Sequence, residues 1–297
     1  MKISAYSYPF VKRYGYEKAF DMIKNAGFDC ADVGFFDMSK EDCPFNSKDA
    51  ERYAADMRRA ADDVGLELNQ SHAPFSYSVE FWESEDMLPT FKRYIGLAGI
   101  LGNKTAVIHP LHYFPEYMGH EDEIFEKNME YYSALLPDAK AAGVKICTEN
   151  MFKGDSLRGT IVGSTCYTIE EFIRYVDGMD SELFGACFDV GHSMLHYQLN
   201  KPADYIRAFG NKRLAALHVH DNNGIRDQHL MAYEGIIDWD SVTAALGEID
   251  YKGEFTLEAT PLIARMDDET VLIRLKYMAD ITRRLADKID LARPLAK

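Results

Sequence analysis

Short apolar runs alternate with amphipathic segments along the whole chain, and glycines punctuate the alternation. The first apolar run is Ile3 to Tyr6, followed by a helical pattern near Tyr16 to Ala26 that Gly27 closes. Glycine just past a helix is the expected stop, because it enters the left-handed conformation without a Cβ penalty. Phe28 to Val33 reads as a second strand, and Ser47 to Val64 as a helix ended by Gly65. Leu66 to Gln70 is a third strand leading into Ser71-His72-Ala73-Pro74, and Glu83 to Leu101 a helix ended by Gly102. The fourth strand, Thr105 to Ile108, runs into His109-Pro110.

The same rhythm continues in the second half. Glu121 to Ala142 is helical and closes at Gly143, and the fifth strand, Val144 to Thr148, leads into Glu149-Asn150. A loop through Gly154, Gly159 and Gly163 precedes a helix from Ile169 to Val176. The sixth strand is Ala186 to Phe188, running into Asp189-Val190-Gly191-His192, and Pro202 to Phe209 is a short helix. Leu214 to Val219 is the seventh strand, Asp240 to Ile249 a helix, Phe255 to Leu257 the eighth strand ending at Glu258, and Asp267 to Lys288 the last helix. Strands that alternate with helices pair in parallel, and eight such units closing on themselves form a (β/α)8 TIM barrel. No composition break marks a linker, so residues 1–297 are expected to form a single α/β barrel domain.

Composition narrows the partners. The net charge is -15, from 48 acidic and 33 basic side chains, and the densest basic clusters are the pairs Arg58-Arg59 and Arg283-Arg284. Such a chain repels phosphate backbones at long range, which disfavours nucleic acid. The longest apolar runs are strand-sized, so no membrane span is expected. The start, MKISAYSYPF, has no apolar signal core, and a cytoplasmic location is the default. Cys30, Cys43, Cys147, Cys166 and Cys187 are scattered without a CxxC pair, which indicates neither a zinc knuckle nor a disulfide framework.

The chemistry concentrates at the ends of strands. In a TIM barrel the C-terminal strand ends carry the active site. Those ends supply His72, His109, Glu149, Asp189, His218 and Glu258 from six consecutive strands, with Asp227 and His229 in the loop after the seventh. The stretch LAALHVHDNNGIRDQH, from Leu214 to His229, turns abruptly from apolar to ionisable. Buried imidazoles and carboxylates need partners, and a divalent cation is one that would serve them all. By the period of two, His220 faces the same side as His218, so either can supply the inward imidazole. His72 and His109 serve equally as metal ligands or as strand-end caps, and Asp221 as the start of an Asx turn. Phe75, Tyr77, Phe81 and Trp82 either line a sugar pocket or pack their loop, and His112, His120 and His196 read as surface residues.

These motifs, ThrGluAsn at 148–150, AspValGlyHis at 189–192, HisValHisAspAsn at 218–222, AspGlnHis at 227–229 and Glu258, resemble the xylose isomerase-like barrels over the full chain length. That superfamily includes sugar and sugar-phosphate isomerases and epimerases and the endonuclease IV group. The resemblance to its ketose 3-epimerases implies a metal held by Glu149, Asp189, His218 and Glu258, with His192 beside it as a catalytic, substrate-contacting residue. The endonuclease IV pattern implies further metal positions at His72, His109, His192, Asp227 and His229. Two Glu, one Asp and one His suit Mn²⁺ best, with Zn²⁺, Mg²⁺ and Co²⁺ admissible.

The resulting expectation is a metal-dependent isomerase or epimerase acting on a sugar or sugar phosphate through an enediolate. Glu149 and Glu258 would serve as acid and base, and His72, His109, Trp82 and Arg226 would contact the substrate. An inosose-type polyol dehydratase is the nearest alternative, and an endonuclease IV-like zinc phosphodiesterase a further one. Lys153, Arg158 and Arg226 are candidate phosphate partners. Where relatives carry a Pro-Gly-x-Gly turn, this chain has Leu230-Met231-Ala232-Tyr233-Glu234-Gly235, so Tyr233 and Glu234 are expected to reshape the pocket wall. A homo-oligomer is compatible with this reading.

Overall fold

The computed structural model describes residues 1–40, 42–75, 79–111, 119–155, 159–195, 201–259 and 263–294. Tyr77, His112, Arg158 and His196 lie outside the described residues. The first elements are β1 (Ile3–Tyr6), α1 (Tyr8–Tyr14), α2 (Tyr16–Ala26), β2 (Cys30–Gly34), α3 (Ala50–Asp63) and β3 (Glu67–His72). Next come α4 (Val79–Trp82), α5 (Met87–Leu101), β4 (Thr105–Val107), α6 (Glu121–Ala142), β5 (Lys145–Glu149), β6 (Phe152–Asp155) and β7 (Thr160–Gly163). The chain continues through α7 (Ile169–Met179), β8 (Phe184–Asp189), α8 (Pro202–Arg213), β9 (Leu214–His218), α9 (Trp239–Glu248), β10 (Phe255–Leu257) and α10 (Asp268–Ala292).

Among the described residues, eight strands pair in the order β10-β1-β2-β3-β4-β5-β8-β9. The ring closes where Val219 and Leu257 form a parallel bridge: Val219 N–H donates to the Thr256 carbonyl, and Glu258 N–H to the Val219 carbonyl, each at 2.9 Å. The expected TIM barrel is therefore the observed fold. Helices cover the outside through their apolar faces; α2, for example, buries Ala19, Phe20, Met22, Ile23 and Ala26.

Three local features depart from expectation. The stretch 152–163 is an antiparallel hairpin, β6 paired with β7, rather than an irregular loop. A helix, α1, follows β1 directly, and Gly15 at φ 75 separates it from α2. The helix expected over 83–101 begins only at Met87, as α5, and a separate short helix, α4, precedes it.

Two register shifts aim the strand ends. Between β2 and β3, Ala31 pairs with Leu68 but Asp32 with Gln70, so Asn69 is the extra residue. Between β8 and β9, Ala186 pairs with Leu214 but Cys187 with Ala216, which brings Asp189 level with His218. A bulge of this kind locally re-aims the side chains that follow it. Inside the barrel, Val107, Cys147, Cys187 and Ala216 form a small buried cluster. Two residues further along the same strands stand His109, Glu149, Asp189 and His218, which the strand period places on the same inward face.

Candidate metal centre

The predicted strand-end residues meet at one rim. Glu149, on β5, is the hub and is 1% exposed. Its Oε2 lies 3.3 Å from His218 Nδ1, 3.4 Å from His109 Nε2 and 3.7 Å from His72 Nε2. Its Oε1 lies 3.3 Å from His192 Nδ1. Glu258 Oε2, just beyond β10, approaches the same His218 Nδ1 at 3.5 Å.

A second group gathers around Asp189 and Asp227. His220 Nε2 is 3.0 Å from Asp189 Oδ1 and 3.6 Å from Asp227 Oδ1. His229 Nε2 is 2.9 Å from Asp227 Oδ2, and His192 Nε2 is 3.7 Å from both Asp189 Oδ2 and Asp227 Oδ2. His218 and His220 are thus both inward, each in a different group. His220, left open by the periodicity, is completely buried. Gly191 makes room for it, since a Cβ there would stand 2.0 Å from the His220 ring.

Titration follows this crowding. Burial alone would raise the Glu149 carboxyl, but His218, His109 and His72 outweigh it and hold the group well below its ordinary value. Asp189 is lowered against burial by His192 and His220. Asp227 is lowered against burial by His192 and His229. His229, which burial would lower, is pushed up to about 10 by Asp227 and Glu258. His109 goes the other way, lowered to about 4 by burial, and is neutral at pH 7.

The donor set fits divalent cations. Glu149 Oε2, His218 Nδ1 and Asp227 Oδ1 are buried and lack a hydrogen-bond partner among the described residues, although each is aimed at the cluster. Buried polar atoms are rarely left so. Candidate ligand groups are His72, His109 and Glu149; Asp189, His218 and Glu258; and His192, His220, Asp227 and His229. The tautomers suit this role. His72, His192 and His229 each place Nδ1 2.8 to 2.9 Å from a backbone carbonyl, of Ala73, Asn150 and Glu258 respectively. A carbonyl only accepts, so each Nδ1 carries the proton and each Nε2 can serve as a ligand.

Other sequence candidates fall elsewhere. Trp82 is buried, with its ring stacked on Phe91 at 5.6 Å and edge-on to Tyr131 at 6.0 Å, so it supports the helical layer. Phe81 packs with it, at 5.7 Å from Trp82 and 6.3 Å from Phe91. Phe75 does reach the centre, 5.4 Å from the His109 ring, and Phe36 lies 4.8 Å from His72. Arg226 is exposed on its loop, where its backbone N–H donates to Asn223 Oδ1. Lys153 lies on β6, the strand whose Phe152 meets His192 at 4.9 Å.

Tyr233 and Glu234 do not reshape the pocket as expected. Tyr233 is 56% exposed and accepts from Lys288, while Glu234 is paired with Arg274 on α10 at 3.0 Å. Asp221 is a structural anchor instead of a ligand. It accepts from Trp239 Nε1 at 2.8 Å and from the backbone N–H groups of Asn222, Tyr233 and Ile237. His120 is exposed beside Glu123, in keeping with the surface reading.

The sequence pattern of the xylose isomerase-like TIM barrel matches residues 20–274. The chain belongs to that family. Among curated relatives, an uncharacterized protein of Methanocaldococcus jannaschii is 30% identical over 191 residues, covering 63% of this chain and 61% of the relative. The protein y4fM of Sinorhizobium fredii is 26% identical over 185 residues, covering 61% of this chain and 55% of the relative. The matched region thus spans less than two thirds of either relative.

Solved structures share this family's barrel. A D-tagatose 3-epimerase-like protein superposes with a TM-score of 0.74 at 23% identity, covering 98% of this chain and 99% of the other. D-psicose 3-epimerase in the presence of D-fructose gives 0.73 at 15% identity, covering 96% and 99%. The IOLI protein with a binding zinc atom gives 0.71 at 17% identity, covering 99% and 100%. No helix among the described residues is long and apolar enough to cross a membrane.

Proposed function

We propose that this xylose isomerase-like barrel is a divalent-metal-dependent isomerase or epimerase acting on a sugar or sugar phosphate. The observation that carries the reading is the approach of two carboxylates to one imidazole. Glu149 Oε2 and Glu258 Oε2 lie 3.3 and 3.5 Å from the same His218 Nδ1. Glu149, Asp189, His218 and Glu258 would hold the ion, with Mn²⁺ the best match to a mostly oxygen donor set. When bound, the ion supplies Lewis-acid stabilisation of negative charge on the substrate's carbonyl and neighbouring hydroxyl oxygens.

The chain's own groups supply the proton chemistry. One of the two glutamates removes the proton from the carbon beside the carbonyl, breaking C–H and leaving the electron pair in an enediolate. The other returns a proton to that carbon for epimerisation, or to the former carbonyl carbon for isomerisation. Glu149 and Glu258 are 1% and 8% exposed, so bulk water has little access to either carboxylate. His192, within reach of Glu149, Asp189 and Asp227, is the proposed substrate-contacting catalytic residue. His72 and His109 face the same space, and Phe36 and Phe75 beside them give the substrate an apolar wall.

Two further readings use the same site. A polyol dehydratase would start from the same carbon deprotonation and end in loss of a hydroxyl. A zinc phosphodiesterase is favoured by the groups His72-His109-Glu149 and His192-His220-Asp227-His229, which extend the centre beyond one ion. The net charge of -15 opposes a polyanionic substrate. A screen of ketoses, their phosphates and inososes with added Mn²⁺, followed by NMR, tests the proposal. Interconversion of a ketose with an epimer or isomer supports it. A dehydrated product, or incision of abasic-site DNA with no sugar turnover, replaces it.

A further inference from the structure

His218 is oriented differently from its neighbours. In His72, His192 and His229 a backbone carbonyl takes the Nδ1 proton and leaves Nε2 facing the cluster. In His218 the roles of the nitrogens are reversed. Nδ1 faces Glu149 and Glu258, and Nε2 points at Asp32 Oδ2, 3.6 Å away.

We propose that Asp32 is a positioning residue that holds His218 as its Nε2–H tautomer and so makes Nδ1 the ligand atom. The inference rests on the metal centre proposed above. Asp32 is completely buried near the end of β2, and among the described residues it pairs with no lysine or arginine. A carboxylate so placed is costly unless it serves a donor. Gln70 Nε2 donates to Asp32 Oδ2 at 3.1 Å, which steadies the carboxylate beneath the ring. Asp32 Oδ1 and His218 Nε2 are both buried without a hydrogen-bond partner among the described residues. The 3.6 Å separation exceeds a hydrogen bond, so the proposed role requires the ring and the carboxylate to draw together when the ion binds.

The backbone is built to make this pair. The register shift at Ala31/Asp32 places Asp32 directly opposite Gln70, with Asn69 as the residue left over. Asn69 is itself satisfied, accepting from Ser4 Oγ at 2.7 Å. Without the shift, Asp32 would pair with Asn69 and Gln70 would move out of step with it. A carboxylate behind a ligating imidazole fixes the ring and raises its basicity, and losing such a partner typically costs about 10- to 100-fold in metal affinity.

Mn²⁺ titrated calorimetrically into the metal-free wild type, Asp32→Asn and Asp32→Leu tests the assignment, with thermal unfolding of each metal-free protein as the control for folding. Asp32→Asn preserves shape and an acceptor oxygen while removing the charge. Both variants should bind the ion more weakly, Asp32→Leu by about 10- to 100-fold and Asp32→Asn by less. Imidazole ¹⁵N NMR of the Zn²⁺-loaded wild type should show one ligating ring protonated at Nε2, a signal that Asp32→Leu loses or shifts. Wild-type affinity in both variants, or His218 protonated at Nδ1, would overturn the role of Asp32. A wild type that binds no divalent ion would instead overturn the metal centre itself.

Discussion

His220 and His229 stack ring on ring, with centroids 4.1 Å apart and planes inclined by 15°. Both also face Asp227, at 3.6 and 2.9 Å. Two imidazoles in such contact repel if both carry a proton, so the carboxylate between them governs how much charge the pair can hold.

That arrangement makes the metal-free protein sensitive to alkali. His229 is raised from 6.5 to about 10, chiefly by Asp227 acting against burial. A group raised in the folded state stabilises fully below its unfolded value and loses that contribution as pH rises through the folded value. The unfolding temperature of EDTA-treated protein should therefore decline between about pH 6.5 and 10. His229→Gln should flatten the decline, which thermal scans across that range measure. The carboxylates act in the opposite window: Glu149, Asp189 and Asp227 are lowered, so their contribution is lost as pH falls below the ordinary carboxylate range.

Gly191→Ala should displace His220. The new Cβ would meet that ring at 2.0 Å, and the ring lies against both His192 and His229, at 5.7 and 4.1 Å between centroids. Metal analysis beside the wild type should find any ion held by the His192-His220-Asp227-His229 group reduced or lost, while the proposed Glu149-Asp189-His218-Glu258 site still binds one. Unchanged metal content would show that His220 is dispensable.

Asp221→Ala should destabilise the fold rather than change the chemistry. It strips the acceptor from Trp239 Nε1 and from three backbone N–H groups, all drawn to one buried carboxylate. Leaving buried donors unsatisfied costs about 1–3 kcal/mol each, and water entering the vacated space re-satisfies part of the four, so a loss of about 3–5 kcal/mol in denaturant unfolding is expected.

The barrel was legible because its determinants are local. Apolar runs at strand length, glycines after helices and ionisable residues at strand ends all lie within a few residues of one another. The meeting of Glu149, Asp189, His218 and Glu258 at one rim follows from the same strand-end logic, whereas their choice as a ligand set came from the family resemblance. Asp32 was not legible as part of it. It sits inside the run Phe28 to Val33, and its partner His218 is brought near only by ring closure and by a bulge set on a neighbouring strand. The hairpin Phe152–Asp155 and Thr160–Gly163 was hidden by glycines that read as loop. Tyr233 and Glu234 were expected at the pocket because their outward partners, Lys288 and Arg274, lie on a helix distant in sequence. Trp82 carried no local sign that Phe91 and Tyr131 would enclose it.

The central claim is that Glu149 and Glu258 move a proton at carbon while a divalent ion is held beside them. Incubation of the Mn²⁺-loaded protein with its ketose in D₂O, read by NMR, measures that transfer directly. The wild type should place solvent deuterium on the carbon beside the carbonyl. Glu149→Gln and Glu258→Gln should each lower the rate by at least about 100-fold while remaining folded, since positioned acid–base catalysis contributes about 10²–10⁴-fold. Turnover without deuterium incorporation, or wild-type exchange in either variant, would contradict the account.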